Sequence, residues 1–190
     1  DPLLLADGDG ADDHALYFVS PNIERVADTL AADNERFRRW IAFHEVTHAA
    51  EFGAAPWLSG HLESRMEEAV EKLAAGDIDR EMLGELDTTM TAVEGYAELL
   101  MDRAFDEAYQ DLREEIEQRR QGRGPVQTLI RRVLGLNMKR RQYERGKDFF
   151  DAVADARSVE FAGRVWDRPE NLPTDAEIDA PEQWIRRMAE

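Results

Sequence analysis

Five consecutive residues, His44-Glu45-Val46-Thr47-His48, have the types and spacing needed for metal-assisted hydrolysis. On a helix, side chains four apart stand one above the other on the same face. His44 and His48 can then offer two imidazole nitrogens to one ion. Glu45 sits about 100° further round the helix, where its carboxylate can hold a metal-bound water. Two His ligands and a Glu general base are the working parts of a zinc hydrolase. Around the pentad stand Phe37, Trp40, Ile41, Phe43, Val46, Ala49, Ala50 and Phe52. Such an apolar setting predicts a buried helix, and buried His and Glu need partners that a metal can supply.

Catalytic zinc takes a third protein ligand and keeps one position open. No cysteine is present, so this ligand is a histidine or a carboxylate. His14 lies in an early loop and is expected at the surface. His61 follows Pro56-Trp57-Leu58 and can line the cleft as an oxyanion donor. The stretch Val93-Glu94-Gly95-Tyr96-Ala97-Glu98 offers two acids four apart on an otherwise apolar helix. Glu94 is the expected ligand. Glu98 is expected to fix a ligand imidazole through its other ring nitrogen. Gly95 would allow this helix to approach the His helix closely. Glu51, seven residues after His44 on the same face, is the rival third ligand, with Asp87 and Asp102 behind it.

The elements that must position these groups are read as helices. Ala15 to Val19 is the best strand, a candidate peptide-binding edge. Ser20-Pro21 starts a helix running to about Ala32. Asp33 or Asn34 caps the His helix, which is expected to stop at Gly53. Residues 54–58 read as a turn, and a further helix from Ser59 or Gly60 carries Leu62, Met66, Val70 and Leu73 as its apolar stripe. A helix from Asp77 to about Asp106 repeats Met82, Leu86, Met90, Val93, Ala97 and Leu100 at three- and four-residue steps. Residues 110–121 read as a charged helix broken at Gly122-Arg123-Gly124-Pro125. Short helices are expected over 126–134, over 139–154, and after Pro173 and Pro181. The Asp/Gly-rich residues 1–13 read as a loop; a calcium site there lacks its closing Glu. Together these predict one mainly α-helical domain over 1–190, with at most a short edge strand near 15–19.

The chain has 190 residues, and 43% of them are hydrophobic, enough for a real core. Acidic residues number 41 against 24 basic, a net charge of −17 that repels nucleic acid and anionic membranes. Only Lys72, Lys139 and Lys147 are lysines. Many acids with few lysines suit a salt-rich cytoplasm, where ions screen the self-repulsion. No apolar run approaches the roughly 20 residues that span a membrane, and no signal peptide is evident, so a cytoplasmic protein is expected.

Two local resemblances bear on the acids. Glu94-Gly95-Tyr96-Ala97 resembles the Glu-Gly-Phe-Ala stretch of zinc aminopeptidases. Glu94 with Glu98 resembles the Glu-x-x-x-Asp stretch of thermolysin-like enzymes, a gluzincin-like arrangement. In those families the first acid binds zinc and the second orients a ligand histidine. Over nearly its whole length the chain resembles a zincin-like metalloprotease family of actinobacteria and archaea, labelled as associated with deazaflavin coenzyme biosynthesis. The resemblance runs through Val19-Ser20-Pro21-Asn22-Ile23, Trp40, the pentad, Pro56-Trp57-Leu58, Glu94-Gly95, Met101-Asp102, Gln142-Tyr143, Gly146 and 166–184. It implies a mainly helical zinc peptidase fold, and members that are longer at the N-terminus. Tyr96 stands where such members often have His, and Glu51 where they often have Gln.

The expected function is therefore zinc-dependent hydrolysis of a peptide or protein substrate. Zinc is held by His44, His48 and Glu94, with Glu45 as general base and Glu98 in support. His61, Tyr96 and Tyr143 are the candidate oxyanion donors. Two alternatives compete. A di-iron bundle would need a second Glu-x-x-His, yet Ala11 and Leu58 stand three before His14 and His61. A non-catalytic scaffold would keep the fold and use its acidic surface for partners.

Overall fold

The structure is a computed structural model that describes residues 16–29, 32–104, 112 and 140–189. It is mainly helical, as expected, and among the described residues it contains no strand. The candidate edge at Tyr17, Phe18 and Val19 is exposed coil. Its carbonyls instead serve the following helix, accepting from the backbone N–H groups of Ser20, Asn22 and Ile23. His14, the loop over 1–13 and, apart from Leu112, the helices expected within 110–134 lie outside the described residues.

The helices are α1 (Ser20–Thr29), α2 (Asn34–Ala54), α3 (Pro56–Ala74), α4 (Arg80–Ala104), α5 (Arg140–Ala156), α6 (Val159–Ala162), α7 (Asp175–Asp179) and α8 (Pro181–Ala189). Two 3-10 turns, Gly163–Trp166 and Pro169–Asn171, link α6 to α7. Packing gathers the chain into two compact units, and the boundary runs through α2 between Val46 and Thr47.

The first unit holds α1 and the start of α2. Asp33 caps α2 by accepting from the Arg36 N–H at 2.9 Å. Val26, Ala27, Phe37, Trp40 and Ile41 are buried. An Arg38–Glu24 ion pair joins the two helices.

The second unit holds the rest of α2, then α3, α4 as far as Asp102, and α5 to α8. α2 passes through Gly53 and stops at Ala54, because Ala55 precedes a proline and is disfavoured in the helical region. Pro56 itself opens α3, three or four residues earlier than the sequence reading, since a first-turn residue needs no N–H partner. Only the N-terminal turns of α3 reach the core, through Trp57, Leu58 and Leu62. The rest of its apolar stripe, Met66, Val70 and Leu73, is more than half exposed. Asp79 caps α4 through the N–H groups of Glu81 and Met82. From Thr88 to Met101 α4 is buried almost all round, which makes it the central helix of this unit.

Gly95 of α4 meets Gly146 of α5, not the His helix as its position beside Glu94 suggested. A Cβ on Gly95 would lie 2.3 Å from the Gly146 carbonyl carbon. The two helices cross backbone to backbone at this point. Phe149, Phe150, Val153, Trp166, Ile178 and Trp184 complete the core around that crossing. Near the C-terminus, Thr174 and Glu177 form a reciprocal capping box, and Arg187 pairs with Glu177 at 2.7 Å.

Candidate metal centre

The buried face of α2 is read off the positions Phe37, Trp40, Ile41, His44, Glu45 and Glu51. It is a helical stripe at three- and four-residue steps, but its later half is polar. Phe43 and Val46 point outward, so the helix is buried on one side only. Polar groups hold the positions where apolar side chains would ordinarily pack. That inversion marks the site.

His44 and His48 lie one turn apart on the unbroken α2. The ring of Trp40, one turn earlier, stacks on that of His44 at 5.6 Å and 17°. This fixes the plane of the imidazole. His48 is 17% exposed, and its Nε2 lies 3.5 Å from Glu94 Oε2 on the buried face of α4. The ligand atoms of His44, His48 and Glu94 all lie within 4.8 Å of one another. For zinc bonds of 2.0–2.1 Å, two ligand atoms of a tetrahedral site stand about 3.3 Å apart. The His48–Glu94 separation meets that edge, and two nitrogens with one carboxylate are a donor set suited to zinc. The residues therefore fit such an ion. Glu45 follows His44 and is buried beside it in sequence, at 9% exposure.

The other nitrogen of His48 faces Glu51. Nδ1 and Glu51 Oε2 stand 2.7 Å apart, and the Glu51 side chain is 1% exposed. Burial alone would lower the His48 pKa, but hydrogen bonds to Glu51 and Glu94 outweigh it and push it up to about 10. Burial raises Glu51 to about 7 against the pull of His48. Thus the acid that meets the second nitrogen of His48 is Glu51. Glu98 is buried on α4 one turn beyond Glu94. Sequence reasoning weighed Glu51 only as a third ligand; its i, i+3 spacing from His48 was the signal that would have paired them.

Of the expected oxyanion donors, the side chains of Tyr96 and His61 are described. Tyr96 packs edge-to-face on Phe150 and Trp166, at 5.3 and 5.7 Å, and its hydroxyl lies beside Gly163. Burial raises its pKa, with Glu51 and Glu160 adding to the effect. His61 sits edge-on to Trp57 and lines a cleft of about 460 Å³ with Arg65, Glu85, Thr88 and Thr174. Burial and then the Arg65 cation lower its pKa, so the imidazole is neutral at pH 7. Tyr143 falls in α5, but its side chain lies outside the described residues.

Comparison with known proteins agrees with this geometry. The family model described as zincin-like metallopeptidase matches residues 5–79 and 73–185. A crystal structure from Chloroflexus aurantiacus, described as a "putative hydrolase with a novel fold", is similar at 38% identity and a TM-score of 0.73. The match covers 92% of this chain and 58% of that one, so the chain spans under three fifths of that protein's length. No curated protein matches.

Proposed function

The chain belongs to the zincin-like metallopeptidase family, and from that premise we propose that it is a zinc-dependent peptidase, one domain over 1–190, with His44, His48 and Glu94 as the metal ligands. The observation that carries this reading is the convergence of two imidazoles and one buried carboxylate within 4.8 Å. Bound zinc would supply a water of near-neutral pKa and would polarise the scissile carbonyl.

The chain's own residues do the rest. Glu45, adjacent to the first ligand, accepts the proton of the attacking water and returns it to the leaving amine. The stacked Trp40 holds the ring of His44 in place. Glu98 supports the centre from α4. A donor drawn from His61, Tyr96 and Tyr143 stabilises the developing oxyanion. Peptides or proteins are the substrate class, as the family's name implies. The narrower link to deazaflavin coenzyme biosynthesis rests on the residue resemblance alone.

The test is a Glu45→Gln variant assayed on a broad peptide library. It should bind one zinc per chain as the parent does and lose roughly 100- to 10,000-fold in cleavage rate. Cleavage at the parent's rate would remove Glu45 from the mechanism. Parallel Tyr96→Phe, Tyr143→Phe and His61→Leu variants identify the oxyanion donor by the one that loses kcat at unchanged zinc content.

A further inference from the structure

We propose that Glu51 is a positioning residue, which holds His48 with Nδ1–H donated to its carboxylate and Nε2 turned toward Glu94. The inference rests on the metal-centre reading above and assigns a role that reading does not need. The two acids meet opposite nitrogens of one ring: Glu51 Oε2 at 2.7 Å from Nδ1, Glu94 Oε2 at 3.5 Å from Nε2. Glu51 is therefore on the far side of the imidazole from the third ligand. That placement makes it a poor ligand and a good tether.

The burial of Glu51 supports the same conclusion. Its side chain is 1% exposed, and among the described residues its buried Oε1 has no hydrogen-bond partner. A carboxylate so placed costs free energy unless it is fully bonded. An apolar residue of similar size would fill this position at lower cost to the fold. Among the described residues the acid's one hydrogen bond goes to His48, so its effect is on that ring: it sets the tautomer, fixes the rotation and makes Nε2 a stronger donor to a metal.

The test measures zinc binding to purified metal-free protein by competition with a chromogenic chelator, so activity is not needed. Glu51→Leu should weaken zinc binding roughly 10- to 100-fold while the Tm of the metal-free protein stays level or rises. A purely structural role would lower that Tm and leave the affinity alone. Glu51→Gln preserves volume and an acceptor oxygen, so its affinity should fall less than about 10-fold. In its zinc-loaded form the His48 Nδ1–H proton resonance should move upfield, because a neutral amide replaces a charged acceptor. Equal zinc affinity in the parent and Glu51→Leu, or an unmoved Nδ1–H resonance in Glu51→Gln, overturns this proposal alone. A parent protein that binds no zinc overturns the metal-centre reading as well.

Discussion

The Nε2 of His48 and the Oε2 of Glu94 stand 3.5 Å apart, one on α2 and one on α4, at the separation of two ligands on a shared tetrahedral ion. Without an ion between them, this cluster packs polar groups where α2 and α4 would otherwise bury apolar ones. Zinc should therefore stabilise the folded chain by mass action. With free zinc at 100 times its dissociation constant the gain is about 2.7 kcal/mol, or a Tm roughly 5–10 °C above that of the chelated protein. Differential scanning calorimetry with and without chelator measures it. An identical Tm at saturating zinc would show that the ion does not bind the native fold.

Gly95 and Gly146 set the crossing of α4 and α5. Helix propensity alone would make alanine better than glycine by up to about 1 kcal/mol. At Gly95 the added Cβ would meet the Gly146 carbonyl carbon at 2.3 Å, so Gly95→Ala should instead destabilise by about 1–3 kcal/mol. Gly84, on the same helix, has nothing within 4 Å of its Cβ position. Gly84→Ala should stabilise by about 0.5–1 kcal/mol. Opposite signs in chemical denaturation are the expected result; two stabilising changes would contradict the close approach.

The C-terminal helices depend on an ionised Glu177. Burial works to raise its pKa, but the Arg187 guanidinium and the Thr174 N–H together hold it below the usual carboxylate value. A lowered folded-state pKa stabilises the fold above the unfolded value of about 4.3 and loses that contribution as pH falls below it. Glu177→Gln keeps an acceptor for the cap but gives up the charge. Its stability should lie about 1 kcal/mol below the parent at pH 7, with the gap closing as pH falls below the unfolded value and through the lowered folded one. Denaturation midpoints across that range test it, and a gap that widens toward low pH would contradict the sign.

Much of this site could be read before the fold was known, because its parts follow helix arithmetic. His44 and His48 are four apart, and Glu94 lies in a helix whose period was plain. What escaped were partnerships that periodicity leaves open. Glu51 faces His48 from three residues on, but the same spacing also suited a direct ligand. Gly95 announced a close approach, but the nearness of Glu94 pointed it at the His helix, whereas its partner Gly146 stands 51 positions later. The stripe of α3 had the right period, yet Met66, Val70 and Leu73 face outward, since amphipathicity tells which face is apolar and not whether anything covers it. The edge strand expected at 15–19 had the composition of a strand, but composition supplies no neighbouring strand to pair with.

The central claim is that His44, His48 and Glu94 bind one metal ion together. The most direct test is anomalous diffraction at the zinc edge from crystals grown with zinc. One peak is predicted about 2.0–2.2 Å from a ring nitrogen of each histidine and from a Glu94 oxygen. No peak at that point, or a peak held by other residues instead, would contradict the account.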